Sequence, residues 1–454
     1  MGFVLGLFTV LTAALTACGA EATRQVRAGS APRGFELLTG KAYLPPDFDQ
    51  AVFDELWKTW EPALQAQAKH ASSQTRRRLA FARYGLTTAE ADTQGKPQQY
   101  VVDASGRWTM NCLACHQGKV AGRPIPGVPN SLFALETLTE EVRQTKIRLG
   151  KPLARMDIGS LFMPLGTSNG TTNAVMFGVT LMSHRDAELN VLPLTPPPKM
   201  THNDVDPPAW WLLKKKKRIY ADGFATKSHR ALMQFMLIRE NGPEKFREWE
   251  NDYRDVLAWI ESLEAPSYPF AIDRTLARQG QEVFNRNCAE CHGTYGREAH
   301  YPNRIVPIDV VETDATRLGA LSHEHRAAYG RSWFTYFGAR ETLTDPGGYL
   351  APPLDGIWAS APYFHNGSVP TLWHLLHPDH RPRVWLRSED GYDRQHVGLD
   401  VQTFERVPDS ASSRYERRRY FDTSRPSKSA SGHRFPDALD EPERAAVLEY
   451  LKTL

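Results

Sequence analysis

The pentapeptide Cys-x-x-Cys-His occurs twice in this chain, as Cys112-Leu113-Ala114-Cys115-His116 and as Cys288-Ala289-Glu290-Cys291-His292. Two intervening residues let both sulfurs meet one edge of a porphyrin while the next imidazole turns under the metal. This is the attachment signature of a c-type haem, with two thioether bonds and the histidine as proximal ligand. Four of the five cysteines lie in these motifs. A pair of disulfides or a shared zinc site would use the same thiols but leave His116 and His292 without a purpose. The expected cofactors are therefore two covalently bound c-type haems, on Cys112, Cys115 and His116 and on Cys288, Cys291 and His292.

The fifth cysteine, Cys18, follows an apolar run from Phe3 to Leu15 that is too short to span a bilayer comfortably. The order Leu15-Thr16-Ala17-Cys18 resembles a bacterial lipobox, in which cleavage precedes the cysteine and its sulfur is lipidated. An ordinary secretory signal is the alternative, and no Lys or Arg precedes Arg24. Both readings imply export to the periplasm or cell envelope, and lipidation of Cys18 would add a membrane anchor.

At 454 residues the chain has room for two or three domains. A composition of 41% hydrophobic and 24% charged residues is that of a globular protein, and a net charge of +3 gives no reason to expect a nucleic-acid partner. The run Lys214-Lys215-Lys216-Lys217-Arg218 reads as a solvated face, with docking of an acidic electron donor as the alternative.

Each motif is expected to own a domain. Residues 1–18 read as the signal, 19–90 as a linker with helices near Ala51–Gln67 and Gln74–Tyr84, 91–265 as the first haem domain and 266–454 as the second. Apolar periodicity predicts helices near Ser228–Arg239 and from Phe246 to Leu263, with the boundary at Ala265-Pro266. The second domain opens with a helix from about Asp273 and closes with one capped by Asp440-x-x-Glu443. Val407 to Gly432, polar and rich in Ser and Arg, reads as an exposed loop.

The segment Ala351-Pro352-Pro353-Leu354-Asp355-Gly356-Ile357-Trp358-Ala359-Ser360-Ala361-Pro362-Tyr363-Phe364-His365-Asn366-Gly367-Ser368-Val369-Pro370-Thr371-Leu372 resembles the signature after the second haem in bacterial di-haem cytochrome c peroxidases, MauG and the rubber oxygenases. The Pro-Leu-Asp-Gly-Ile-Trp-Ala form and the ending Glu449-Tyr450-Leu451-Lys452-Thr453-Leu454 look closest to the rubber-oxygenase branch. Gly170-Thr171-Thr172-Asn173-Ala174-Val175 and Asp222-Gly223 resemble first-half segments of the peroxidases. The likeness spans roughly residues 100–454.

The resemblance implies a mostly α fold of two class I cytochrome c-like domains with long loops. It also implies a catalytic first haem on His116, open to H2O2 or O2, and a six-coordinate second haem on His292 that handles electrons. For the sixth ligand His433 ranks first, followed by His377, His380 and His365. Where the peroxidases place a bridging Trp this chain has Ala221, with Tyr220, Trp211 and Trp210 near. Their pocket carboxylate falls near Glu240 or Asn241, and Phe235 and Met236 are either pocket lining or core. A calcium at the domain interface would use Ser360 and Pro362 carbonyls and Asn169 or Asn173. A small cytochrome or cupredoxin would donate electrons. A pure electron relay, and an oxygenase acting on an apolar polymer or lipid, stand beside this expectation.

Overall fold

The computed structural model describes residues 27–88, 95–193, 196 and 198–454. Cys18 and the proposed signal lie outside the described residues.

The first half is built on the helix Pro243–Ser262, which Pro243 starts with its fixed φ. Of the apolar stripe expected from the periodicity, Phe246, Trp249, Tyr253, Val256 and Ile260 are buried; Leu257 and Leu263 are half-buried, and Trp259 joins the buried face instead. The helix Ala31–Gly40 packs along it. Asp255, buried on the same helix, accepts from the Ser30 amide at 2.7 Å and pairs with Arg27, fastening the chain's early segment to the domain.

Helices Ser73–Tyr84 and Leu135–Arg148 form a second layer. Between them Arg83 is nearly fully buried and bridges Glu61 at 2.7 Å and Glu141 at 2.6 Å. A three-stranded antiparallel sheet places Arg107–Met110 between Phe48–Asp49 and Tyr100–Val102. Its central Trp108 stacks on Phe48 and Phe53, and the strand leads directly into Cys112.

In the second half Asp273 caps the helix Arg274–Asn287 through the amides of Thr275 and Leu276. That helix packs on Glu441–Leu451, whose capping box joins Asp440 to Glu443 as expected. The close approach requires Gly280, because a Cβ there would collide with the Ala446 carbonyl. Strands enter mainly through the hairpin Val384–Asp393 and Gly398–Phe404, extended by Tyr420–Asp422 on its other edge. Among the described residues no helix is long and apolar enough to cross a membrane.

Three expected elements differ. The helix expected over Ala51–Gln67 is broken into Gln50–Glu55, a 3-10 turn Leu56–Thr59 and Pro62–Lys69. Pro62 cannot continue a preceding helix, and Trp60 turns inward to donate to the Tyr84 hydroxyl at 2.9 Å. The segment near Ser228–Arg239 is a 3-10 helix, Arg230–Met236, with the Arg230 guanidinium held between Trp333 and Tyr336.

Val407–Gly432 is a strap across the first half, not a free loop. Arg418 reaches Glu140 at 2.7 Å, and Lys428 reaches the fully buried Asp204 at 3.2 Å. Hydropathy scores these cations as solvent-facing; their partners lie more than 200 residues earlier.

Candidate haem sites

The two pentapeptides fold alike. Leu113–His116 and Ala289–His292 are single helical turns, each with its first cysteine at the N-terminal boundary. The four thiols are free. Burial raises Cys112 to about 11 and Cys115 and Cys288 to about 12, and pushes Cys291 up as well. Thiols held this far from ionisation are unlike the readily ionised thiol of a redox-active cysteine pair, although Arg304 partly offsets the effect of burial at Cys291.

Both proximal imidazoles are held by the same device. His116 Nδ1 lies 3.1 Å from the carbonyl of Pro208, and His292 Nδ1 lies 2.8 Å from that of Pro352. A carbonyl only accepts, so Nδ1 carries the proton in each ring and Nε2 keeps its lone pair for a metal. Burial draws His116 down to about 3 and lowers His292, so both rings are neutral and ligand-ready. Trp210 stacks on the His116 ring with centroids 4.3 Å apart and planes 19° apart. Tyr295 holds the other turn, donating to the His292 carbonyl at 3.0 Å and accepting from the Leu354 amide at 2.6 Å.

Sequence reasoning missed the two carbonyls and both aromatic braces. A signal existed: each acceptor belongs to a Pro-Pro pair, Pro207-Pro208 and Pro352-Pro353, one after each motif.

The second site has a facing histidine. The rings of His292 and His433 lie 6.1 Å apart, tilted by 58°. Two imidazoles ligating one metal from opposite sides, each through a bond of about 2 Å, have centres about 6 Å apart. His433 Nδ1 is buried without a hydrogen-bond partner, and burial followed by the nearby His292 draws the ring down to about 3. Its backbone is left-handed (φ +48°), follows Gly432 (φ +76°), and is held by its amide 2.6 Å from the Val311 carbonyl. Any side chain at Gly432 would collide with Glu312. The donor set and spacing fit a c-type haem.

The other histidines are placed elsewhere. His377 is bonded through Nδ1 to the Trp373 carbonyl at 2.8 Å and through Nε2 to Glu441 at 3.0 Å. His380 packs on Trp373. His365 stacks on Tyr349 with centroids 4.2 Å apart.

Around the first site, Glu240 is exposed and paired with Arg155, while Asn241 donates to the carbonyls of Tyr43 and Met236. Met236 is core and Phe235 is exposed. The helix Ala174–Ser183 carries no charge, and only Met176 is buried on it. Phe177 from that helix and Cys115 pack against one hydrophobic cluster. Asn173 is committed to the turn before this helix, accepting from the Asn203 amide and donating to the Pro164 carbonyl. Asn169 bonds through its amide to the Arg418 carbonyl. Among the described residues no group of three or more His, Cys, Asp or Glu is placed to hold a metal ion.

The two halves meet along residues 210–223. Trp211 donates to the Asp355 carbonyl at 2.7 Å. Ala221 packs with Cys291 on the cluster of Val306, Val311 and Tyr349. Asp222 is fully buried between Arg326 at 2.8 Å and Arg317 at 3.4 Å. The lysine run is not a solvated face: Lys214 pairs with Glu264, Lys215 with Asp355 and Arg218 with Glu341.

Residues 348–386 match the family described as RoxA-like, cytochrome c-like. The chain is 32% identical over 234 residues to the uncharacterised protein y4iM of Sinorhizobium fredii (strain NBRC 101917 / NGR234), covering 44% of this chain and 53% of that protein. It is 39% identical over 119 residues to the uncharacterised protein y4iJ of the same strain, covering 24% of this chain and 18% of that one. The chain thus spans about half the length of the first relative and less of the second. The matched segment is a RoxA-related, cytochrome c-like domain, and such a domain implies a c-type haem.

Proposed function

We propose that this protein is a di-haem c-type cytochrome acting as an oxidoreductase. Cys112, Cys115 and His116 would hold one haem, which would supply chemistry with a small oxidant. Cys288, Cys291 and His292, together with His433, would hold the other, which would supply electron transfer. The carrying observation is the asymmetry of the two sites: His292 faces a second imidazole at 6.1 Å, whereas among the described residues no second imidazole lies in ring contact with His116, whose stacking partner is Trp210. A second strong axial ligand closes an iron to small molecules, and its lack leaves one open.

When bound, the haems supply one-electron storage and reduction of H2O2 or O2. The chain's own residues position them. Pro208 and Pro352 keep the proton on Nδ1, making each Nε2 a stronger donor. Trp210 and Tyr295 hold the two proximal turns, and the Trp211–Asp355 bond ties the sites to one rigid seam. The packing of Arg274–Asn287 on Glu441–Leu451 supports a class I cytochrome c-like second domain. Export and a lipid anchor at Cys18 belong to the same reading, as does a small cytochrome or cupredoxin donor.

A second reading, oxygenase chemistry on an apolar substrate, is favoured over peroxidase by two placements. Glu240 and Asn241 are engaged away from acid–base duty, and Phe177 of the uncharged helix Ala174–Ser183 packs on the same hydrophobic cluster as Cys115.

Paramagnetic resonance of the oxidised protein, with carbon monoxide titration of the reduced form, tests the proposal. One low-spin haem and one that binds carbon monoxide are expected. Two low-spin haems that ignore the ligand would reduce the protein to an electron relay.

A further inference from the structure

One arginine of the second half gives its donors entirely to the main chain. Arg381 is half-buried. Its Nη1 donates to the carbonyls of Ala430 and Gly432, both at 2.7 Å. Its Nη2 donates to those of Leu375 at 3.4 Å and His433 at 3.5 Å, and its Nε to that of His374 at 3.2 Å. A guanidinium carries five N–H groups in one plane, and here they meet five carbonyls. Asp379 and Asp437, carboxylates that could draw this cation outward, pair with Arg434 at 2.9 and 2.7 Å.

The five carbonyls come from two places. Ala430, Gly432 and His433 belong to the loop that presents His433, where Gly432 and His433 are both left-handed (φ +76° and +48°). His374 and Leu375 end the helix Leu372–Leu376, whose last carbonyls have no partner further along the helix. The guanidinium also lies 4.9 Å over the ring of Phe364, which is 5.9 Å from the ring of His433. The His433 amide is fixed separately, 2.6 Å from the Val311 carbonyl. Left-handed backbone at a histidine persists only where its surroundings hold it. One side chain thus ties the backbone of this loop to a helix and touches the ring that borders the imidazole facing His292.

We propose that Arg381 is the positioning residue of the second site: it gathers the carbonyls of Ala430, Gly432 and His433 onto the end of the helix Leu372–Leu376 and so keeps the His433 imidazole opposite His292. The assignment rests on the di-haem reading above, with His433 as the second ligand. Lysine would bring the same charge without the planar fork that reaches both segments at once.

The test compares the holoprotein with Arg381→Met, Arg381→Gln and Arg381→Lys, with His433→Ala beside them. Haem content by the pyridine haemochrome method and the low-spin resonance are measured first. Fewer than two haems in the unaltered protein, or an unchanged low-spin signal in His433→Ala, would sink the ligand reading rather than the role of Arg381. An imidazole that must leave before carbon monoxide enters lowers the apparent affinity to the fraction of molecules it has left. Losing charge-assisted hydrogen bonds should raise that fraction about tenfold. In reduced Arg381→Met, the second haem should therefore take carbon monoxide with about tenfold higher apparent affinity, and the first should be unchanged. Added to His433→Ala, the same substitution should change the affinity no further, because its effect passes through His433. Arg381→Lys should recover only part of the difference. Arg381→Gln carries the same expectation as the Met variant and stands in if that variant does not keep both haems. Parent affinity in the Met and Gln variants overturns the assignment, as does an equal change with and without His433.

Discussion

The imidazoles of His292 and His433 face each other across 6.1 Å, although 141 positions of sequence separate them. One is carried by a helical turn after Arg274–Asn287, the other by two successive left-handed residues docked on Val311 and Glu312. Left-handed backbone at a histidine costs on the order of 1 kcal/mol or more, so the loop holds a conformation that the local sequence does not favour.

His433→Ala should therefore convert the low-spin signal of the second haem to high spin. Carbon monoxide uptake by the reduced protein should rise from one to two per chain. Persistence of the original low-spin signal would show that another residue closes this iron.

Replacing both cysteines of one motif tests whether the sites are independent. Cys288→Ala with Cys291→Ala should leave one covalent haem per chain, and the Cys112 and Cys115 pair should behave likewise. Acid–acetone extraction that removes all pigment from the unaltered protein would exclude thioether attachment altogether.

Gly280 is where two helices of the second domain touch. Gly280→Ala forces a methyl group into the Ala446 carbonyl, and overpacking of this kind costs about 1–3 kcal/mol. Denaturant unfolding of the holoprotein should show a lower midpoint with little change in slope. An unchanged midpoint would mean that the helices separate more easily than their packing indicates.

The strap 407–432 is held by charge. Lys428→Met leaves Asp204, fully buried, without its ammonium, and breaking a buried pair typically costs about 3–5 kcal/mol. Burial alone would raise the Asp204 carboxyl, but Lys428, His202 and Thr167 outweigh it and hold it well below its usual range. Burial also pulls Lys428 down, so the pair is worth less than the Asp204 shift alone implies. The variant should show faster amide exchange across 407–432 than the parent.

The same carboxylate sets an acid limit. A group whose folded value lies below its unfolded one, near 3.9 for Asp, contributes stability that is whole above that value. The contribution fades as pH falls through the folded value. Stability should decline from about pH 5 downward, and less steeply in Asp204→Asn than in the parent. Identical acid profiles for the two proteins would remove Asp204 from this role.

Local chemistry was enough for some of the structure. Cys112 to His116 and Cys288 to His292 are legible as candidate haem-attachment motifs within five consecutive residues, because thioether geometry needs only that spacing. The stripe from Phe246 to Ile260 and the cap at Asp440 were legible for the same reason: helix periodicity and capping act within a few residues.

What faces and what braces each motif histidine, and what neutralises each buried charge, were decided by tertiary structure. Pro208 lies 92 positions from His116, Pro352 lies 60 from His292, and Asp204 meets Lys428 from the opposite half. Such partners are chosen by where the chain returns, and no short-range propensity encodes that return. Composition marked the cations of 214–218 as solvent-facing, yet the fold paired three of them with carboxylates. Desolvation and pairing depend on what surrounds a charge in space, so its neighbours in sequence could not reveal them.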